Sequence, residues 1–287
     1  MEHVLPERTI PINASDARWG DLRTRVLSAA VLAPAVLLCI WWGGLPYALM
    51  MLCASLGLAW EWVALCGADP PGSPGLMVLI SIAAGACCAV LGQAPIGLLM
   101  LALGTILTAV AARLADPPAH WRALAAGVPY IGVAVIALIW LREDIGTGLA
   151  NILFLLALVW ASDIGAYLIG RVLGGPKLAP TVSPGKTWSG ALGGLFAAVA
   201  VAVFVTSIQR ESASFWRVAG IAAMLGVVSQ SGDLLESLIK RHFGVKDSSQ
   251  LIPGHGGLLD RLDALLIAAP FAALLALMAG RGVSLWQ

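Results

Sequence analysis

Polar residues between positions 233 and 263 have the types and spacing of a site for metal and phosphate. Four of them follow one another at i, i+3, i+4 and i+7, which places them on one face of a helix: Asp233, Glu236, Ser237 and Lys240. Two carboxylates where an apolar segment ends provide the hard oxygen ligands that Mg²⁺ prefers. An interfacial helix end with a Glu236–Lys240 ion pair explains the same pattern, so this helix alone leaves both readings open.

A glycine-rich turn, PGHGG at residues 253–257, follows this helix and leads into the last apolar segment. Glycine lets backbone N–H groups approach a ligand closely, and the first N–H groups of a helix have no intrahelical partner. The turn therefore predicts an anion site. The turn residues expected to contact the anion are His255, Gly256 and Gly257. Asp260 and Asp263 are three apart, so they share a face of the following helix.

Basic side chains surround this turn, namely Lys240, Arg241, Lys246 and Arg261. Carboxylates that hold a metal beside cations that hold phosphate are the components of phosphoryl or nucleotidyl transfer. A second cluster begins at Asp163, inside an apolar segment where a charge costs roughly 3 kcal/mol. We therefore expect Asp163 to face a polar cavity or a partner residue.

A polar segment between two apolar ones adds a further phosphate-facing edge through hydroxyl and ammonium groups. Its residues are Ser183, Lys186 and Thr187. The run SPGKT is not a P-loop, because Pro180 stands where the first glycine of that motif belongs.

Lipid must solvate most of the elements that position these residues. The chain is 59% hydrophobic and 11% charged, whereas soluble domains carry about 25% charged residues. A net charge of +1 gives no indication of nucleic-acid binding. Because a span needs about 20 apolar residues, the sequence predicts an all-α, polytopic transmembrane helical bundle of about nine spans. They are placed at 26–42, 46–65, 75–92, 95–114, 123–141, 150–170, 187–207, 217–235 and 262–280.

The distribution of basic residues predicts a cytoplasmic N-terminus and a cytoplasmic site. Of the 17 lysines and arginines, this topology places only four on the opposite side: Arg142, Arg210, Arg217 and Arg281. We divide the chain into a tail (1–25), N-terminal transmembrane helices (26–150) and a catalytic transmembrane region (151–287). Glu61 stands between Trp60 and Trp62, which are typical of an interfacial belt, so we expect it to be a solvated helix end.

The segment SLIKRHFGVKDSSQLIPGHGGLLDRLD, residues 237–263, resembles the signature of the CDP-diacylglycerol synthases, also called phosphatidate cytidylyltransferases. Three further segments resemble the same family: SQSGDLLES, SDIGAYLIGR at 162–171 and SPGKTWSG at 183–190. The resemblance covers roughly residues 160–265, and the long signature is highly specific. Ser189 departs from the pattern, because family members often carry Glu or Gln there.

The resemblance implies the reaction of CTP with phosphatidate to give CDP-diacylglycerol and pyrophosphate. It also implies dependence on Mg²⁺, help from a monovalent cation such as K⁺ in some members, a bacterial inner (cytoplasmic) membrane location and a homodimer. By position, Asp233 and Asp260 would be the metal-binding pair, with Glu236 and Asp163 as further candidates. The phosphate pocket would be lined by Lys240, Arg241, Lys246, Asp247, His255, Arg261 and Asp263.

Two other functions fit the polar residues. A CTP-dependent membrane lipid kinase would transfer the γ-phosphate and release CDP. An ion-coupled transporter would use the intramembrane carboxylates Asp163 and Glu236 as coupling residues. Transporters tend to have repeated halves, whereas the polar groups of this chain lie toward one end, which counts against transport.

Overall fold

A computed structural model describes residues 14–70, 72–115, 120–208, 214–252, 254 and 256–287, with only the backbone for 14–25. These residues form nine helices and one short hairpin. The elements are α1 (Ala14–Trp42), α2 (Gly44–Leu65), α3 (Ser73–Val90), α4 (Ala94–Leu114), α5 (Trp121–Arg142), α6 (Gly148–Leu173), β1 (Lys177–Ala179), β2 (Ser183–Thr187), α7 (Trp188–Ile208), α8 (Phe215–His242) and α9 (Leu259–Ala279).

The helices confirm the predicted polytopic all-α fold. Among the described residues, α2 to α9 are each long and apolar enough to cross a membrane, and α1 contains a shorter apolar segment, Val26–Trp42. Each predicted span overlaps one helix. The main differences are at α1, which begins at Ala14 although its predicted span begins at residue 26, and at α8, which continues to His242 beyond the predicted end at residue 235. In both helices the additional turns are polar and lie outside the apolar span.

Helix α5 lies at the centre of the bundle, where it packs against α2, α3, α4, α6 and α9. Its side chains Leu124, Val128 and Ile131 are fully buried. Large apolar side chains on outer helices, such as Phe196 and Met278, are instead more than three-quarters exposed. Such a surface would be unfavourable in water and is suited to lipid.

Helices α6 and α7 approach each other closely through glycines. A Cβ atom at Gly165 would lie 2.5 Å from the Ala197 Cβ, and one at Gly190 would lie 2.7 Å from the Ala166 carbonyl oxygen. Small residues at such contacts let the backbones of membrane helices come together. This packing places the end of α6 beside the start of α7.

The hairpin that joins α6 to α7 is antiparallel and pairs Lys177 with Thr187. The Thr187 hydroxyl accepts a hydrogen bond from the Gly190 N–H at 3.1 Å, so it caps the first turn of α7. At the end of α8, the Arg241 guanidinium donates to the Val182 carbonyl oxygen of the hairpin at 3.4 Å. The two polar segments therefore adjoin, as the predicted topology requires.

Candidate active site

A pocket of about 500 Å³ opens between α6, the hairpin, α7 and α8. This volume lies within the range of small-molecule sites. At its wall the Lys186 ammonium lies 2.5 Å from the Asp233 carboxylate, and the two side chains are 27% and 31% exposed. Asp163 and Thr187 line the same pocket. Four residues that the sequence singled out in separate segments are thus brought together.

Asp163 is exposed and lines this pocket together with Lys186 and Asp233, so it faces a cavity that has charged groups on its wall. Tyr167 and Arg171, one and two turns further along α6, also line the pocket, and the Arg171 guanidinium donates to the Tyr167 hydroxyl at 2.6 Å. They were not among the predicted site residues. Their spacing of four and eight residues from Asp163, which places all three on one face of α6, was the signal that could have identified them.

Gln230 is a third pocket residue that was not predicted from the sequence. Its amide nitrogen donates to the Ser162 hydroxyl at 3.2 Å and to the Ala191 carbonyl oxygen at 3.1 Å. It therefore joins α8 to both α6 and α7 at the floor of the pocket. A neutral glutamine in an apolar helix carries no charge signature, and its partners are known only once the helices are packed.

Lys240 forms a buried ionic centre between α8 and α9. Its ammonium lies 2.8 Å from a Glu236 carboxylate oxygen and 2.7 Å from an Asp260 carboxylate oxygen. The three side chains are only 13%, 3% and 6% exposed. The predicted helical face of Glu236 and Lys240 is confirmed, and its ion pair is buried within the protein. One Glu236 carboxylate oxygen contacts the Lys240 ammonium, and the other has no hydrogen-bond donor.

Asp260 receives backbone and side-chain donors from the signature loop. Its carboxylate accepts hydrogen bonds from the Ser248 N–H at 3.0 Å, the Ser248 hydroxyl at 3.1 Å and the Gly257 N–H at 2.9 Å. The glycine turn was expected to direct its N–H groups toward an anion. In this structure the anion that the Gly257 N–H contacts is a carboxylate of the protein itself.

Glu61 of α2 is the second internal anion at this turn, and the expectation that it is a solvated helix end is wrong. Its carboxylate is 1% exposed and accepts the N–H groups of Leu258 and Leu259, both at 2.8 Å. The hydroxyls of Ser249 and Ser248 donate to it at 2.6 and 3.3 Å. These partners lie 187 to 198 residues away along the chain, so local pattern gave no indication of them.

Trp62 also departs from the interfacial position that was expected for it. It is 3% exposed, and its indole N–H donates to the Ala123 carbonyl oxygen of α5 at 3.0 Å. Trp60, by contrast, is 49% exposed. The two tryptophans lie on different faces of α2 because they are two residues apart.

The remaining predicted residues lie around this centre. Ser183 and Ser237 are half-buried in β2 and α8, whereas Lys246 and Asp247 are exposed in the loop after α8. Arg241 donates to the Val182 and Val245 carbonyl oxygens, and Arg261 is exposed on α9. The Gly256 carbonyl oxygen accepts the Ile252 N–H. His255 lies outside the described residues.

A close approach of α8 and α9 positions Asp263. A Cβ atom at Gly232 would lie 2.9 Å from the Asp263 carbonyl oxygen, so only glycine fits there without a shift. The Asp263 carboxylate accepts the N–H of Ala264 at 2.8 Å and lies within electrostatic range of Asp233 and Glu236. The face shared by Asp260 and Asp263 is thus directed at α8.

The site brings charged groups of both signs together. Five carboxylates lie beside Lys186 and Lys240, and Arg171 lines the same pocket; the carboxylates are those of Asp163, Asp233, Glu236, Asp260 and Asp263. Over the described ranges, no three acidic, histidine or cysteine side chains converge as a ready-made metal site. Mg²⁺, however, is usually held by one or two carboxylates together with substrate phosphates. The carboxylates of this site, with one buried Glu236 oxygen that has no donor, therefore fit a cation that arrives with phosphate.

Apolar spans that bring carboxylates, lysines and a pocket together at one end define a membrane-embedded enzyme. The chain belongs to the cytidylyltransferase family, whose model matches residues 23–279, and it is a nucleotidyltransferase. It is 40% identical over 254 residues to the phosphatidate cytidylyltransferase of Brucella suis biovar 1 (strain 1330), covering 87% of this chain and 91% of the relative. The resemblance noted in the sequence is thereby confirmed.

A second relative matches a smaller part of the chain. The phosphatidate cytidylyltransferase of Staphylococcus aureus (strain COL) is 40% identical over 148 residues, which cover 52% of this chain and 56% of the relative.

Proposed function

We propose that the chain transfers the cytidylyl group of CTP to phosphatidate, giving CDP-diacylglycerol and pyrophosphate in phospholipid biosynthesis. The observation that carries the proposal is the pocket at the end of the apolar helices, where Lys186 faces Asp233 beside Asp163. A lipid can keep its chains in the bilayer while its phosphate reaches such a pocket. The name phosphatidate cytidylyltransferase, which both relatives carry, supports this substrate pair.

In the proposed reaction a phosphate oxygen of phosphatidate attacks the α-phosphorus of CTP. A new P–O bond forms there while the bond from the α-phosphorus to the bridging oxygen breaks, and pyrophosphate leaves with that electron pair. The phosphatidate phosphate is already ionised near neutral pH, so no strong base is needed. The protein must instead orient two anions and offset their repulsion.

The lysines and carboxylates of the site would together orient the two substrates and offset the repulsion between their phosphates. Lys186 and Lys240 each contact a carboxylate, and we propose that incoming phosphates take over part of these contacts. Lys246, exposed beside the site, would bind the nucleotide phosphates. We assign Lys240 and Lys246 to catalysis with Asp233 and Asp260, and the other predicted residues of the pocket to substrate binding.

We further propose Mg²⁺ as the cofactor and K⁺ as an additional monovalent cation. Asp233 and Asp260 would hold Mg²⁺, with Glu236 and Asp163 close by, and the ion would neutralise charge on the phosphates and the leaving group. Asp260 is contacted by Lys240 and by two donors of the signature loop. Binding of a metal at Asp260 would therefore require Lys240 to move away.

The proposed membrane is the cell inner (cytoplasmic) membrane, with the N-terminus and the pocket on the cytoplasmic side, where CTP is available. The support is the excess of lysine and arginine in the segments placed on that side. We also propose that the enzyme is a homodimer, as the family resemblance implies.

The test is an assay with CTP labelled at its α-phosphate, Mg²⁺ and phosphatidate in detergent micelles. Cytidylyl transfer puts the label in lipid and releases one pyrophosphate for each lipid labelled. Labelled CDP would instead identify a lipid kinase. A purified, folded protein that consumes no CTP would refute the proposal and favour a transport function.

A further inference from the structure

Glu61 comes from the N-terminal part of the chain but is built into the loop that carries the site. Its carboxylate accepts the N–H groups of Leu258 and Leu259, the two residues directly before Asp260. A carboxylate at the start of a helix accepts N–H groups that have no partner within the helix, and it also interacts favourably with the helix dipole. Glu61 therefore caps α9 from another helix and fixes the backbone that leads into Asp260.

Ser248 provides a second connection between Glu61 and Asp260. Its hydroxyl lies 3.3 Å from a Glu61 carboxylate oxygen and 3.1 Å from an Asp260 carboxylate oxygen. The hydroxyl has one proton, so it donates to one carboxylate at a time and lies between two like charges. The Ser248 N–H donates to Asp260 as well. The orientation of Asp260 thus depends on where Glu61 holds this loop.

Gly257 shows how closely these groups are packed. A Cβ atom there would lie 2.8 Å from a Glu61 carboxylate oxygen and would collide with the Ser248 hydroxyl. The glycine therefore makes room for Glu61 and Ser248, while its own N–H donates to Asp260. The packing leaves little freedom for Asp260 to turn.

We propose that Glu61 is a positioning residue for the reaction: through the α9 cap and the Ser248 hydroxyl it holds Asp260 in its working orientation. The inference rests on the proposed function, in which Asp260 takes part in the chemistry. Glu61 itself need not touch either substrate. Its loss should lower turnover more than nucleotide affinity, because a misplaced catalytic group costs rate even when substrates still bind.

Ser248→Ala and Ser249→Ala form a matched pair that tests this connection. Both remove a hydroxyl that donates to Glu61, but only Ser248 also contacts Asp260. We expect Ser248→Ala to lower kcat about tenfold, the effect of one hydrogen bond that orients the site, with the KM for CTP and the apparent Tm in detergent unchanged. Ser249→Ala should lower kcat less than about threefold, and Ser248→Thr, which keeps the hydroxyl, should restore activity.

A measurement without turnover uses amide hydrogen exchange of the signature loop. In Glu61→Gln the N–H groups of Leu258 and Leu259 face an amide that carries no charge, so the peptide that contains them should exchange at least about tenfold faster. Glu143→Gln is the control, because Glu143 is an exposed glutamate outside the site. It should leave both exchange and turnover at wild-type values.

The outcomes separate this inference from the proposed function. Wild-type kcat in Ser248→Ala, equal losses in the two serine variants, or unchanged exchange in Glu61→Gln would each overturn the role of Glu61. If kcat in Ser248→Ala falls only together with a lower Tm, Glu61 is a structural cap of α9 and not a positioning residue. Wild-type protein that labels no lipid would refute the proposed function instead, and the exchange comparison would still decide whether Glu61 orders the loop.

Discussion

Lys240 and Lys186 both pair with carboxylates, but the contacts of Lys240 are more deeply buried. We therefore expect their removal to lower the free energy of unfolding by different amounts. Replacing Lys240 by Met keeps an apolar stem of similar length but leaves two carboxylates, 3% and 6% exposed, without their shared cation. Breaking a buried ion pair by removing one partner costs about 3 to 5 kcal/mol. Lys186→Met breaks a single pair that is 27% and 31% exposed, for which about 0.2 to 1 kcal/mol is typical.

The assay is thermal unfolding of the detergent-solubilised protein. For a chain of this size 1 kcal/mol shifts Tm by about 2 to 4 °C. We therefore expect Lys240→Met to lower the apparent Tm by about 6 to 20 °C, and Lys186→Met by at most about 4 °C. Both variants should lose turnover, because both lysines contact carboxylates of the site.

A comparable shift in the two variants would refute the reasoning. It would mean that the burial of Lys240 between α8 and α9 does not determine its contribution to stability. A smaller shift for Lys240→Met, with no further change in stability when Asp260→Asn is added to it, would instead show that Asp260 takes up a proton once the lysine is gone. Far-UV circular dichroism of both variants controls for loss of helix.

Three further predictions concern the site itself. Asp260→Asn should fold and insert but retain less than about a tenth of wild-type turnover; higher turnover in the labelled-lipid assay would remove Asp260 from the metal site. Lys246→Ala should raise the KM for CTP without changing the apparent Tm, because the side chain is exposed; an unchanged KM and rate would exclude it from nucleotide binding. Chelation with EDTA should abolish turnover and added Mg²⁺ should restore it, and activity that survives chelation would contradict the proposed cofactor.

Hydropathy located the helices well because lipid imposes a strong and local requirement. A segment such as Trp121–Arg142 must be apolar between its two ends, and that property can be read from a short window of sequence. The hairpin between α6 and α7 was interpreted as a phosphate-facing polar segment, without strands. Its strands are only three and five residues long, and β2 contains Pro184 and Gly185, so their pairing leaves no alternating pattern.

The polar contacts of the site were harder to predict. The shared face of Glu236 and Lys240 follows from helical spacing, and the structure confirms it. Two other contacts depend on how α2, α8 and α9 pack. They are the ion pair of Lys240 with Asp260 and the hydrogen bond from the Leu258 N–H to Glu61. Tryptophans beside Glu61 suggested a membrane interface, but the position of Glu61 is decided by hydrogen-bond partners 187 to 198 residues away along the chain.

The long sequence separation between Glu61 and its hydrogen-bond donors has a consequence for synthesis in the cell. Its carboxylate leaves the ribosome 187 to 198 residues before the donors that satisfy it, which at about 5 to 20 residues per second is a wait of about 10 to 40 s. During that time an ionisable group near the end of a membrane helix has neither Ser248 nor α9 to contact. The nascent chain must therefore keep Glu61 in water, in the translocon or protonated, and the last helix to emerge is the one that completes its burial.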